Sequence, residues 1–91
     1  MSPEIAPKNT LEDTLREILV ADLYVDVPAD GIHADDSLQE TLGLDSLGFV
    51  ELRARCEQQF GVPISDTDFT PVNFRSISTI ADFVVRRRAS N

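Results

Sequence analysis

The sequence predicts an all-α fold, a small antiparallel bundle of three main helices plus one short helix. Three observations predict it. Apolar residues recur at spacings of three and four in the early, middle and late parts of the chain, the mark of a helix with one buried face. Strand-like alternation of apolar and polar residues persists nowhere. The chain has 91 residues, 42% of them hydrophobic, enough for one compact core and not for two.

Residues 1–9 hold Pro3 and Pro7 and little apolar content, and read as a loose tail ahead of a domain over 10–88, with 89–91 as a second tail. Thr10 offers a helix cap, with Asp13 three residues on in the manner of a capping box. Leu11, Leu15, Ile18, Leu19 and Leu23 then line one face of the first helix. From 24 to 45 the periodicity fades and turn formers take over, notably Pro28, Asp30, Gly31, Asp35 and Asp36. So long a connection is unusual in a compact domain. Val25, Val27, Ile32, Leu38 and Leu42 are spaced to pin it down, and 37–42 can close a helical turn.

The second helix is predicted over 46–60, capped by Asp45 or Ser46 and ended by Gly61, which suits the left-handed position after a helix. Phe49, Leu52, Cys56 and Phe60 mark its core face. Leu47, Val50 and Ala54 lie on another face with Glu51 beside them. That second set is either a widening of the buried stripe or a small exposed apolar patch bordered by charge. After Val62-Pro63-Ile64, residues 65–69 begin with a cap and acidic residues, a short helix of a turn or two before Pro71. Ser76 caps the last helix, in which Ile77, Ile80, Ala81 and Val84 share a face, with Phe83 nearby. Arg86, Arg87 and Arg88 fall at its end, where positive charge complements the helix dipole; they read as a solvated, dipole-matched terminus.

Composition excludes several classes of function. Sixteen acidic against eight basic residues give a net charge of −8, which disfavours nucleic-acid phosphates and favours a partner with a basic surface. Cys56 is the single cysteine and His33 the single histidine, so neither an internal disulfide nor a cysteine or histidine metal cluster is available. No apolar run reaches membrane-spanning length, and the start lacks a basic segment followed by an apolar one. The expectation is a cytoplasmic protein that binds neither nucleic acid nor membrane.

The stretch Leu42-Gly43-Leu44-Asp45-Ser46-Leu47-Gly48-Phe49-Val50-Glu51-Leu52 resembles the 4′-phosphopantetheine attachment site of acyl and peptidyl carrier proteins. The likeness extends from about 11 to 85 and keeps that family's order of helix, long loop, modified serine, helix, short helix, last helix. It implies that Ser46 bears a 4′-phosphopantetheine taken from coenzyme A, with Asp45 as helix cap and recognition residue. It also implies that Leu47, Val50, Glu51 and Ala54 form the face on which enzymes dock. A phosphopantetheinyl transferase is the first partner. An acyltransferase or adenylating loading enzyme comes next, then ketosynthase, condensation or tailoring enzymes. The carrier catalyses nothing; it presents an acyl or aminoacyl group as a thioester, and is expected to be a free-standing monomer. Residues 68–77 are similar to discrete carriers of bacterial secondary metabolism, polyketide or nonribosomal peptide.

Physical chemistry is compatible with that role. A helix start exposes free N–H groups and the positive end of the dipole, which favour a phosphate. Serine is a weak nucleophile without a base, so activation falls to the transferase. Gly48 is expected to keep bulk away from Ser46 and ease access. Cys56, where the family often has a larger aliphatic residue, is expected to leave the core roomier for cargo. Arg53, Arg55, Gln58 and Gln59 dilute the acidic character of the second helix, with Arg53 and Arg55 paired to Glu51 and Glu57.

Other readings fare less well. A hydrolase would use Ser46 with His33, but the Gly-x-Ser-x-Gly surround of a nucleophile elbow is missing. A DNA-binding bundle would need a basic recognition helix. The rival that the residues leave open is an unmodified helical adaptor, which would tolerate alanine at position 46.

Overall fold

The computed structural model describes residues 7–90 and is all-helical. Among the described residues there are three α-helices: α1 (Lys8–Glu17), α2 (Ser46–Phe60) and α3 (Ile77–Ser90). A π-helical turn at Ile18–Asp22 prolongs α1, and a 3₁₀ turn at Ala29–Gly31 sits in the loop beyond it.

The α1 helix starts earlier than Thr10. The Pro7 carbonyl accepts from the N–H groups of Thr10 and Leu11 (3.0 and 3.2 Å), so Thr10 lies inside the helix. The early turn is anchored from outside: Lys8 Nζ donates to Ser78 Oγ at 2.9 Å and pairs with Asp82 at 3.0 Å, both on α3. At the other end Leu23 N–H reaches back to Ile18 O and Val25 N–H to Leu19 O. These wide turns are set by backbone geometry, which side-chain spacing does not report. Tyr24 then takes the left-handed region at φ 57°. The predicted face holds over Leu11, Leu15, Ile18 and Leu19, all buried, while Leu23 lies just past the last turn and is only partly buried.

The 24–45 loop is packed and laced to its neighbours. Ile32 and Leu38 are buried. Arg16 Nε donates to the Ile32 carbonyl (2.8 Å), Leu38 N–H to Arg75 O (2.9 Å) and Ser78 N–H to Ala34 O (2.9 Å). The loop's backbone polar groups therefore find partners on α1 and at the start of α3, which lets it lie against the core.

The α2 boundaries agree with the local signals. Asp45 is the N-cap, and Gly61 ends the helix in the left-handed region (φ 67°), its N–H bonded to Glu57 O. Leu52, Cys56 and Phe60 are buried; Phe49 is only partly so. The segment over 65–69 makes a single hydrogen-bonded turn in place of the expected short helix. Asp68 and Ser65 close on each other there, Asp68 accepting from Ser65 N–H and Oγ–H, and these bonds compete with a helical continuation.

The α3 helix is capped as expected, with Thr79 N–H donating to Ser76 Oγ (3.2 Å) and Ser76 N–H to Thr79 Oγ1 (3.0 Å). It runs to Ser90, beyond the boundary placed at 88. Its arginines are not simply solvated. Arg87 pairs with Asp68 at 2.7 Å, and Arg88 donates to the carbonyl of Phe60 (2.9 Å), at the C-terminus of α2. Arg88, in the last turn of α3 as expected, thus also complements the dipole of α2. With Phe60 beside Arg88 at one end, and Ser46 sharing a groove with Arg75 at the other, α2 and α3 run in the same direction. The 61–76 segment is long enough to return along α2, which rises about 1.5 Å per residue. Within the all-helical bundle this pair is therefore parallel.

Candidate functional site

Geometry answers two questions at the start of α2: which side chain caps it, and whether the Ser46 hydroxyl is engaged. The Asp45 carboxylate caps, accepting from Gly48 N–H at 2.8 Å. Ser46 is the first residue of the helix, exposed, and its hydroxyl has no hydrogen-bond partner among the described residues. The turn leading in is held by Leu44, which is buried and donates its N–H to Leu38 O at 2.9 Å. A rooted loop thus delivers an unengaged hydroxyl to the positive end of a helix.

Gly48 serves packing. A β-carbon there would lie 2.7 Å from Leu44 Cδ1, 3.0 Å from Leu44 Cγ and 3.2 Å from Asp45 Oδ1. The missing side chain lets Leu44 and the capping carboxylate fold over the first turn.

The second apolar face of α2 faces outward. Leu47 is 77% and Val50 56% exposed, and Glu51 and Ala54 are exposed with them. Glu51 pairs with Arg55 at 3.1 Å. The four residues therefore form one surface strip that starts beside Ser46, and the wider buried stripe is ruled out. Arg53 leaves that surface. Its guanidinium donates to Ile64 O, pairs with Asp66 at 2.9 Å and stacks over the Phe69 ring 5.1 Å away. Glu57 accepts from Ile64 N–H at 2.8 Å and makes no pair with Arg53. The expected dilution of charge on α2 is smaller than a residue count implies, because Arg53 is spent on the loop.

A groove of about 480 Å³ opens beside Ser46. Leu44, Ser46 and Phe49 form one wall; Phe69, Thr70, Pro71, Phe74 and Arg75 form the other; Ser37, Gln39 and Glu40 close it. Phe69 and Phe74 meet edge to face, centroids 5.0 Å apart. No local signal in the chain marks this groove, since its far wall comes from the irregular 61–76 segment. Cys56 does not line it. That thiol is fully buried, and burial, with a smaller contribution from Glu57, pushes it up to about 12. The open space beside α2 lies at its Ser46 end.

His33 does not partner Ser46. It is exposed, and its backbone N–H and carbonyl are both engaged by Asp36. No group of three or more histidine, cysteine or acidic residues suited to a metal ion occurs among the described residues. No described helix is long and apolar enough to cross a membrane.

Comparison with known proteins agrees with this arrangement. The family model described as "phosphopantetheine attachment site" matches residues 13–84. The acyl carrier protein 3 of Ralstonia nicotianae is 37% identical over 75 residues, 82% of this chain and 78% of that protein. Among solved structures, the acyl carrier protein from Enterococcus faecalis superposes with a TM-score of 0.72 at 21% identity, covering 90% of this chain and 99% of that one. A glycylated carrier protein solved in complex with the Bradyrhizobium japonicum glycine:[carrier protein] ligase gives a TM-score of 0.62 at 25% identity, covering 82% of this chain and 95% of that one. The unengaged hydroxyl and the outward strip of α2 thus sit in a chain that belongs to the phosphopantetheine attachment-site family, a carrier of the acyl carrier protein kind and not an enzyme, whose cofactor is 4′-phosphopantetheine.

Proposed function

We propose that Ser46 is the residue that bears the phosphopantetheine arm, and that the chain uses it to pass acyl or aminoacyl groups between enzymes. One observation carries the assignment. Asp45 performs the capping, so the Ser46 hydroxyl is exposed and unengaged at a helix N-terminus. The residues present fit the group: free first-turn N–H groups favour a phosphodiester, and the adjoining groove has room for the pantetheine portion of the arm. When bound, the arm supplies a thiol on which an acyl group is held as a thioester. The chain's own residues hold and orient that arm and offer a surface to its users.

That surface is Leu47, Val50, Glu51 and Ala54. Its small apolar area and charged border suit weak, fast-exchanging contacts with a phosphopantetheinyl transferase, a loading enzyme and downstream condensing or tailoring enzymes. The net charge of −8 favours partners with basic docking faces. We place these events in the cytoplasm and in a polyketide or related secondary pathway, on the likeness of residues 68–77 to carriers of that kind. The glycylated carrier among the structural neighbours keeps aminoacyl cargo within the proposal.

The test is to incubate the protein with coenzyme A and a broad-specificity phosphopantetheinyl transferase and to weigh it. Wild type is expected to gain one phosphopantetheinyl group and Ser46→Ala none. A wild type that stays unmodified, while a control carrier is loaded, would favour the adaptor.

A further inference from the structure

Arg75 stands apart from the other basic side chains. Each of the remaining lysine and arginine side chains has an acidic, carbonyl or other partner, from Lys8 on Asp82 to Arg88 on the Phe60 carbonyl. Arg75 makes no hydrogen bond or ion pair among the described residues, although the chain has twice as many acidic as basic groups. It lines the groove that Ser46 also lines. Its backbone is fixed by the bond from Leu38 N–H to its carbonyl, which roots an exposed, unpaired side chain beside the groove.

We propose that the groove seats the arm carried on Ser46, and that Arg75 is the counter-ion of its phosphodiester. The inference rests on the attachment reading above. A phosphodiester on Ser46 carries one negative charge and would sit in the lining that Ser46 shares with Arg75. Arginine's planar fork is matched to such an oxyanion, and a charge-assisted bond of this kind is stronger than a neutral one. Beyond the phosphate, Phe49, Phe69 and Phe74 give apolar surface for the arm's dimethyl-bearing carbons, while Thr70 and Gln39 face its amides. The volume, about 480 Å³, lies within the range of small-molecule sites. Glu40 lines the same groove and does not pair with Arg75. Without the guanidinium, the groove would present a carboxylate to an anion, so its sign depends on one side chain. Arg75 is a positioning residue: it sets where the arm lies between docking events.

Loaded protein, wild type and variant, provides the test by NMR. In wild type, loading should shift the Phe69, Thr70 and Phe74 amides and the Arg75 Nε–Hε signal, and should displace the ³¹P resonance from its position in Arg75→Gln. Arg75→Gln should gain the same mass and lose those distant shifts; Arg75→Lys should restore part of the ³¹P displacement. The Arg75 side chain makes no contact that the fold needs, and unchanged signals from Ile80 and Val84 would verify that. Full mass gain with shifts confined to 45–49, alike in wild type and Arg75→Gln, would overturn the groove seat while leaving the attachment intact. No mass gain in wild type would overturn the attachment itself.

Discussion

The Asp45 carboxylate accepts the backbone N–H of Gly48 at 2.8 Å, and this bond decides that the neighbouring serine is left free. Removing the acceptor by Asp45→Ala should cost about 1 kcal/mol, the usual worth of an N-cap. Asp45→Asn keeps an acceptor and should cost less. Urea unfolding of the three proteins checks the order; an alanine variant as stable as wild type would mean that the cap is carried elsewhere.

Gly48→Ala pits propensity against packing. Alanine should gain about 1 kcal/mol within a helix, yet its β-carbon would stand 2.7 Å from Leu44 Cδ1. Leu44 is buried, and overpacking a filled site costs about 1–3 kcal/mol. The melting temperature is therefore expected at or below that of wild type. A clear rise would show that Leu44 repacks freely.

Leu47→Gln and Val50→Thr separate surface from core. Both residues are more than half exposed, so stability should stay within about 0.5 kcal/mol of wild type. The KM for modification by the transferase should rise in both. Unchanged kinetics in both would remove the docking role from this strip.

The buried Cys56 thiol, pushed up to about 12, should not react with a disulfide reagent at pH 8 in the folded protein. Loaded protein should then show one fast thiol, from the arm, and a second only after unfolding. Two fast thiols in the native loaded state would contradict the burial.

Asp68 gives the acid limit of one tertiary tie. The Ser65 N–H does most to hold its carboxyl below the usual range; burial, next in size, opposes it, and the Ser65 hydroxyl and Arg87 add to the lowering. A carboxyl with a lower folded than unfolded pKa stabilises fully above the unfolded value, near pH ~4, and loses that contribution as pH falls through the folded value. Asp68→Asn should therefore melt below wild type at pH 7 and converge with it in acid. A gap that persists at low pH would point to a cause other than ionisation.

Much of the framework was legible from the residues. The limits of α2 come from Asp45 and Gly61, whose signals are local, and the buried faces of α1 and α3 can be read from spacing alone. What escaped was set by partners distant in sequence. Thr10 carries a good cap signal, but Lys8 reaches Asp82 and Ser78 and starts α1 earlier. Whether Leu47 and Val50 were core or surface depends on what packs opposite, and nothing described does. Arg53, Arg87 and Arg88 look like surface charge in the chain and become ties across it. Ser46 was visible as a helix-start serine; the groove beside it was not, because Phe69, Phe74 and Arg75 arrive on a segment without periodicity.

Both backbone polar groups of Ile64 are held by α2, the carbonyl by Arg53 and the N–H by Glu57. Two side chains one helical turn apart thus fix where the crossing segment lies, and the segment need not encode its own position. Its outward residues, Pro63 and Thr67 among them, are open to redesign or drift so long as that pair survives. A carrier retuned for a new enzyme could rewrite this stretch of surface while leaving the Ser46 end of the helix undisturbed.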